Sequence, residues 1–171
     1  ATQGEVTYFN VTKGQSILVE SDGRNILIDA GSTQYGSYNE LLEGEIVEEI
    51  NDDAIGNEED DEDVVIHELI ITHGDQDHIS FVDDILDDED ITVQDIYWNN
   101  VDDAADSDEA SSLANRVEPV NVDLESGNGN EISAGGADFT IVNPENLDRS
   151  ENTTDEASLA MTIEIEEQSF H

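Results

Sequence analysis

Thr72-His73-Gly74-Asp75-Gln76-Asp77-His78 follows directly on Val64-Val65-Ile66-His67-Glu68-Leu69-Ile70-Ile71, and these two stretches decide how the rest of the chain reads. The run from Val64 is almost continuously apolar and rich in β-branched residues, the pattern of a strand buried on both faces. Ile79-Ser80-Phe81-Val82-Asp83-Asp84-Ile85-Leu86, behind the cluster, reads as the start of a helix. A strand thus delivers two imidazoles and two carboxylates, within six consecutive positions, to the edge of a sheet. The helix turns its amide-rich N-terminus back towards them. Such rigid supports suit a metal ion, or two.

His73 and Asp75 are two positions apart, as are Asp75 and Asp77, and His78 is adjacent to Asp77. In a turn, such neighbours can converge on one or two centres. Imidazole with carboxylate suits zinc, manganese or iron better than magnesium or calcium, which prefer all-oxygen shells. A metal with an open position lowers the pKa of bound water to about 7 and so makes a hydroxide nucleophile. Two such ions could clamp the attacking and leaving oxygens of a phosphate diester. The plain alternative is a polar surface turn, and in so acidic a chain Asp75 and Asp77 alone say little. The histidines carry the argument, because two of the chain's four lie in this stretch. His67 reads as a satisfied core residue, and His171, the last residue, as a ligand, a truncation point or nothing. The glycine and terminal glutamate spacing of an EF-hand is absent.

Upstream, Glu5 to Val11 alternates as a first strand and Gln15 to Glu20 returns as a second after the Lys13-Gly14 turn. Asp22-Gly23 supplies the positive φ of a tight hairpin. Asn25-Ile26-Leu27-Ile28-Asp29 is then a buried third strand, ending in a carboxylate and a flexible loop at Ala30-Gly31-Ser32. Leu41, Leu42, Ile46, Val47 and Ile50 fall at helical spacing and predict a helix over Asn39 to Ile50. Residues 51–63 read as a solvated acidic loop. Downstream, the helix behind the cluster ends around Asp87 to Asp90, and Ile91 to Trp98 is a strand. Asp106 to Arg116 is a helix, and Pro119 to Leu124 and Ala137 to Val142 are strands. A polar loop from Asn143 to Ala157 precedes a last strand, in which Leu159, Met161, Ile163 and Ile165 face a core. The class is α/β or α+β with mixed sheets.

The chain has 4 Lys+Arg against 45 Asp+Glu, a formal net charge of −41, yet 36% of its 171 residues are apolar. That is enough for one domain with a real core rather than a disordered acidic tail. At ordinary ionic strength so much like charge opposes the compact state. In molar salt the Debye length falls to about 3 Å and the repulsion fades, so the composition points to a salt-loving source. A calcium-buffering or polycation-binding role is the other reading. With no cysteine, disulfides and thiolate metal sites are excluded. No apolar run approaches the ~20 residues of a membrane span. No signal peptide is visible and the sequence begins at Ala1 without methionine, so compartment is left open, with the cytoplasm favoured over export. The sequons Asn10-Val11-Thr12 and Asn152-Thr153-Thr154 carry little weight in an Asn-rich chain.

His73-x-Asp75-x-Asp77-His78 resembles the HxHxDH signature of the metallo-β-lactamase superfamily, in the variant where Asp replaces the second His. With Val6-Thr7-Tyr8-Phe9-Asn10-Val11 and Asn25-Ile26-Leu27-Ile28-Asp29-Ala30-Gly31 it is similar to the ComEC-like competence branch. Asn152 to Ile165 resembles the loop and strand before the family's second metal-binding turn, so the likeness covers most of the chain. The resemblance implies an αβ/βα sandwich of mixed sheets, with metals at one edge between them. It implies that His73 and Asp75 serve one zinc ion (manganese or iron as alternatives) and Asp77 and His78 a second. Asp77 would also orient the water, and Asp29 would steady the ligand loop from behind. It further implies hydrolysis by metal-bound hydroxide, with a small-molecule or nucleic-acid phosphodiester as substrate. Where the branch has a DVGQGD-like turn, this chain has Asn10-Val11-Thr12-Lys13-Gly14-Gln15, losing both acids and one glycine. The family's later metal ligands have no counterpart before Ser169-Phe170-His171. The expectation is therefore a single domain over residues 1–171, incomplete at its C-terminus. Its function is a metal-dependent hydrolase or, as the alternative, a degenerate module kept for binding or assembly. Four basic residues give little affinity for nucleic acid at low salt.

Overall fold

The computed structural model of the chain describes residues 4–33, 37–53, 64–72, 74–98, 131–134, 137–143 and 160–165. Five strands form one sheet in chain order: β1 (Glu5–Tyr8), β2 (Gly14–Ser21), β3 (Arg24–Ser32), β4 (Val64–Ile71) and β5 (Ile91–Trp98). The first three run antiparallel, and β2 turns into β3 at Asp22 and Gly23, whose φ values of 49° and 76° are the doubly positive pair that a two-residue hairpin requires. From β3 onward the pairing is parallel, which a tight turn cannot connect. Helices make those crossovers: α1 (Tyr38–Leu41) and α2 (Glu43–Asp53) before β4, then α3 (Gln76–Ile79) and α4 (Val82–Asp87) before β5.

A second, antiparallel sheet holds β6 (Glu131–Ala134), β7 (Ala137–Asn143) and β8 (Ala160–Ile165). Ala137 and Phe139 are fully buried and belong to the same apolar cluster as Ile26, Ile28, Ile66 and Ile70, so both sheets share one core. Burying an aliphatic or aromatic side chain of this size is worth roughly 1.5–3 kcal/mol, which makes this cluster the main source of cohesion. Tyr38 and Phe81 pack with ring centroids 6.1 Å apart, and the Tyr38 hydroxyl donates to Asp88 Oδ2 at 2.7 Å, tying α1 to the end of α4. The class is α/β with a mixed sheet, as the alternation and the buried runs indicate.

Several expectations need correction. Ala30 to Ser32 is not a flexible loop but the end of β3. Once β4 has turned away, the Phe81 N–H donates to the Ala30 carbonyl at 3.0 Å and Ser32 N–H donates to Ser80 Oγ at 2.8 Å, so the segment stays paired and extended. The helix behind the cluster starts at Gln76, inside the cluster itself, and is broken at Ser80 and Phe81 into two short pieces. Residues 51–53 close α2 rather than open the acidic loop; residues 54–63 lie outside the described residues. Ile163 is 36% exposed, because β8 lies at a sheet edge and the core reaches only its neighbours Met161 and Ile165. Strand β6 was not anticipated. The expected helix over Asp106 to Arg116, the strand over Pro119 to Leu124, the loop from Pro144 to Ala157 and Leu159 lie outside the described residues. Among the described residues no helix is long and apolar enough to cross a membrane.

Candidate metal centre

The centre is founded on an irregularity in β3. Ser16 pairs with Ala30 and Ile17 with Ile28, so Asp29 is an extra residue with no partner on β2. It adopts a φ of 58°, in the left-handed region that Asp tolerates better than β-branched residues do. A bulge of this kind re-aims one side chain without ending the strand. Here it aims a carboxylate with no solvent exposure at the far end of β4.

That carboxylate gathers four hydrogen bonds. Oδ1 accepts the Thr72 backbone N–H at 2.7 Å. Oδ2 accepts the Thr72 hydroxyl at 2.5 Å and the Gln15 side-chain amide at 3.1 Å, and it lies 2.6 Å from His78 Nδ1. Thr72 Oγ1 is also 3.2 Å from His78 Nδ1. With Oδ2 as the acceptor, His78 carries its proton on Nδ1. The other ring nitrogen, Nε2, is directed towards Asp77, 3.8 Å from Oδ2.

Two glycines let α3 sit this close. A Cβ at Gly31 would come within 2.6 Å of Asp77 C and His78 N and 2.7 Å of Gln76 O. One at Gly14 would overlap the Gly31 carbonyl and lie 2.8 Å from Asp77 O. The backbone that carries Asp77 and His78 therefore rests directly on the backbone of β2 and β3. Asp75 precedes α3 in extended conformation, and its carboxylate does not cap the helix. Its carbonyl accepts the His78 and Ile79 N–H groups at 2.9 and 3.2 Å.

Charge around the two described histidines runs in opposite directions. Burial alone lowers the pKa of His78, but the hydrogen bond to Asp29 and the charges of Asp29, Asp77 and Asp75 outweigh it and raise the pKa above 6.5. His67 is lowered by burial and by Arg24, against a smaller opposing effect of Glu68. Its Nδ1 accepts the Asn25 backbone N–H at 3.0 Å, so it is a satisfied structural residue, as the sequence suggested.

Of the expected site residues, Asp29 contacts His78, Asp77 lies 3.8 Å from it and Asp75 acts on it through its charge, all beyond the C-terminal end of β4; His73 and His171 lie outside the described residues. Among the described residues no three His, Asp or Glu side chains form a metal-binding group. The donor chemistry nevertheless fits a transition-metal ion: an imidazole with a carboxylate behind its Nδ1 is the usual setting of a metal-ligating histidine. Sequence reasoning missed Gln15 and Thr72. Thr72 was adjacent to the motif; for Gln15 the only signal was its nearness to the Gly14 turn.

A family model for the metallo-beta-lactamase superfamily matches residues 10–128, more than half of the chain and inclusive of the bulge, the glycine pair and the His73 to His78 cluster. No match is found among curated proteins. The mixed sheet and shared core agree with that family's α/β architecture. The chain belongs to the metallo-beta-lactamase superfamily, whose general chemistry is metal-dependent hydrolysis.

Proposed function

We propose that residues 1–171 belong to one metal-dependent hydrolase domain whose centre is formed by His73, Asp75, Asp77 and His78. The observation that carries this reading is the 2.6 Å contact between Asp29 Oδ2 and His78 Nδ1, which commits one ring nitrogen to the protein and leaves the other 3.8 Å from Asp77 Oδ2. His73 and Asp75 would hold one ion and Asp77 and His78 a second, zinc first and manganese or iron as alternatives. When bound, the ions would supply Lewis acidity and an activated water for attack on an ester. The chain's own part is to fix His78, through Asp29, and to set Asp77 beside it.

The substrate class we favour is a phosphodiester, in keeping with the ComEC-like spacing of the cluster and the Asn25 to Gly31 segment. With four basic residues in the chain, phosphate contacts made by the protein itself are few, so affinity for nucleic acid at low salt is low. The net charge of −41 supports a salt-adapted source.

Elemental analysis of protein purified in molar salt without chelator, beside a His78→Ala variant, tests the reading. About two zinc or manganese ions per chain, lost in the variant, are the expected result. No transition metal in either sample would overturn it and favour a module that keeps the fold for binding or assembly.

A further inference from the structure

Of the four hydrogen bonds at Asp29, three come from segments that any version of the cluster would bring with it: two from Thr72 and one from His78. The fourth comes from a different element. Gln15 lies on β2, next to Gly14, where a Cβ would come within 2.8 Å of the Asp77 carbonyl oxygen. Its amide reaches across the bulge to Asp29 Oδ2 at 3.1 Å, the same oxygen that holds His78. Neither Gln15 nor β2 supplies a ligand to the cluster.

We propose that Gln15 is a positioning residue of the centre: its amide closes the open side of the Asp29 carboxylate, and so fixes the ring orientation and tautomer of His78. The inference deepens the proposed function and rests on it. Thr72 binds both carboxylate oxygens and sets the plane of the group. Without Gln15, the side of Oδ2 facing β2 is open to water, which competes with the imidazole N–H for that oxygen. Outer partners of a ligating histidine typically carry about 10–100-fold in metal affinity. An apolar residue at 15 removes the donor, whereas a carboxylate adds repulsion against Asp29 as well.

The test compares Gln15→Leu and Gln15→Glu with Thr7→Val, a control that deletes a similar part-buried hydrogen bond, Thr7 Oγ1 to Glu49 at 2.8 Å, far from the cluster. Zinc affinity is read by chelator competition in molar potassium chloride, and the His78 tautomer by imidazole nitrogen shifts in zinc-free protein. The expected order of zinc affinity is wild type, then Leu weaker by about tenfold, then Glu weaker still, with Thr7→Val unchanged. The Nδ1–H form of His78 falls in both Gln15 variants and not in the control. Gln15→Leu within about twofold of wild type with unchanged nitrogen shifts would overturn the proposal, as would Gln15→Glu binding like wild type. If wild-type protein takes up neither zinc, manganese nor iron, the proposed function fails on its own account. The nitrogen shifts then decide the role of Gln15: a change supports it and no change overturns it.

Discussion

Asp29 is the residue on which the most depends. A carboxylate can accept all four of its donors, whereas an amide offers only one acceptor oxygen, so Asp29→Asn must set an NH2 group against at least one N–H or O–H. We expect a loss of about 2–3 kcal/mol from the unpaired buried groups, measured by denaturant unfolding, together with loss of metal uptake. A variant as stable as wild type would mean that the four hydrogen bonds are not held in solution. The two described histidines give a second prediction at this scale. In a proton NMR titration of metal-free protein, His78 should titrate above 6.5 and His67 below it; the reverse order would refute the electrostatics given for the centre. The signs for stability follow. The contribution of His78 is fully present below 6.5 and is lost as pH rises through its raised pKa. That of His67 is present above 6.5 and is lost as pH falls through its lowered pKa. In the proposed centre His78 would bind a metal only without its second proton, so affinity should weaken on acidification through that raised value. The sequence showed the donor types of the cluster and Asp29, because residue identity and motif spacing are local. It hid Gln15, whose partner lies 14 residues away across a bulge that no propensity predicts.

Among the elements, the saddle of Gly14 and Gly31 is what brings α3 onto the strands. Gly31→Ala places a methyl group against three backbone atoms that cannot rotate away, so α3 must shift bodily. We expect a cost of about 3 kcal/mol in denaturant unfolding, and weakened metal uptake even where the variant folds. A fully stable Gly31→Ala with normal uptake would show that α3 does not rest on β3. By contrast Gly23, at the hairpin tip with nothing near its would-be Cβ, resists substitution only through its φ of 76°. Strands β2 to β5 were legible because long apolar runs and an Asp-Gly turn leave few alternatives. The end of β3 and the start of α3 were not. Both are set by each other, through Ser80 and Phe81 bonding to Ala30 and Ser32, and a one-dimensional pattern carries no record of such pairing.

At the scale of the molecule, charge dominates. Arg24, which ion-pairs with the buried Glu68, and Lys13 are the only basic side chains among the described residues. The rest of the surface must be tolerated through screening. The thermal midpoint should rise by about 10 °C or more between roughly 0.1 M and 2 M potassium chloride, where the Debye length drops from about 10 Å to under 3 Å. A midpoint indifferent to salt would remove the argument for a salt-adapted source. Composition made this legible at once. The pairing of the second sheet with the first was not, because Phe139 in a short alternating strand looks no different from a surface aromatic until the core is assembled.

From the mixed topology we expect an order of assembly. The three-stranded antiparallel unit closes through short turns between near neighbours, which is fast. The parallel strands wait for long crossovers to close, each with its own entropic delay. Asp29 belongs to the early unit, while Thr72 and His78 lie 43 and 49 residues further on. On that order the carboxylate and its Gln15 donor are in place before Thr72 and His78 arrive. On that expectation a metal ion would meet the completed arrangement late, as a trap for it rather than a guide to it.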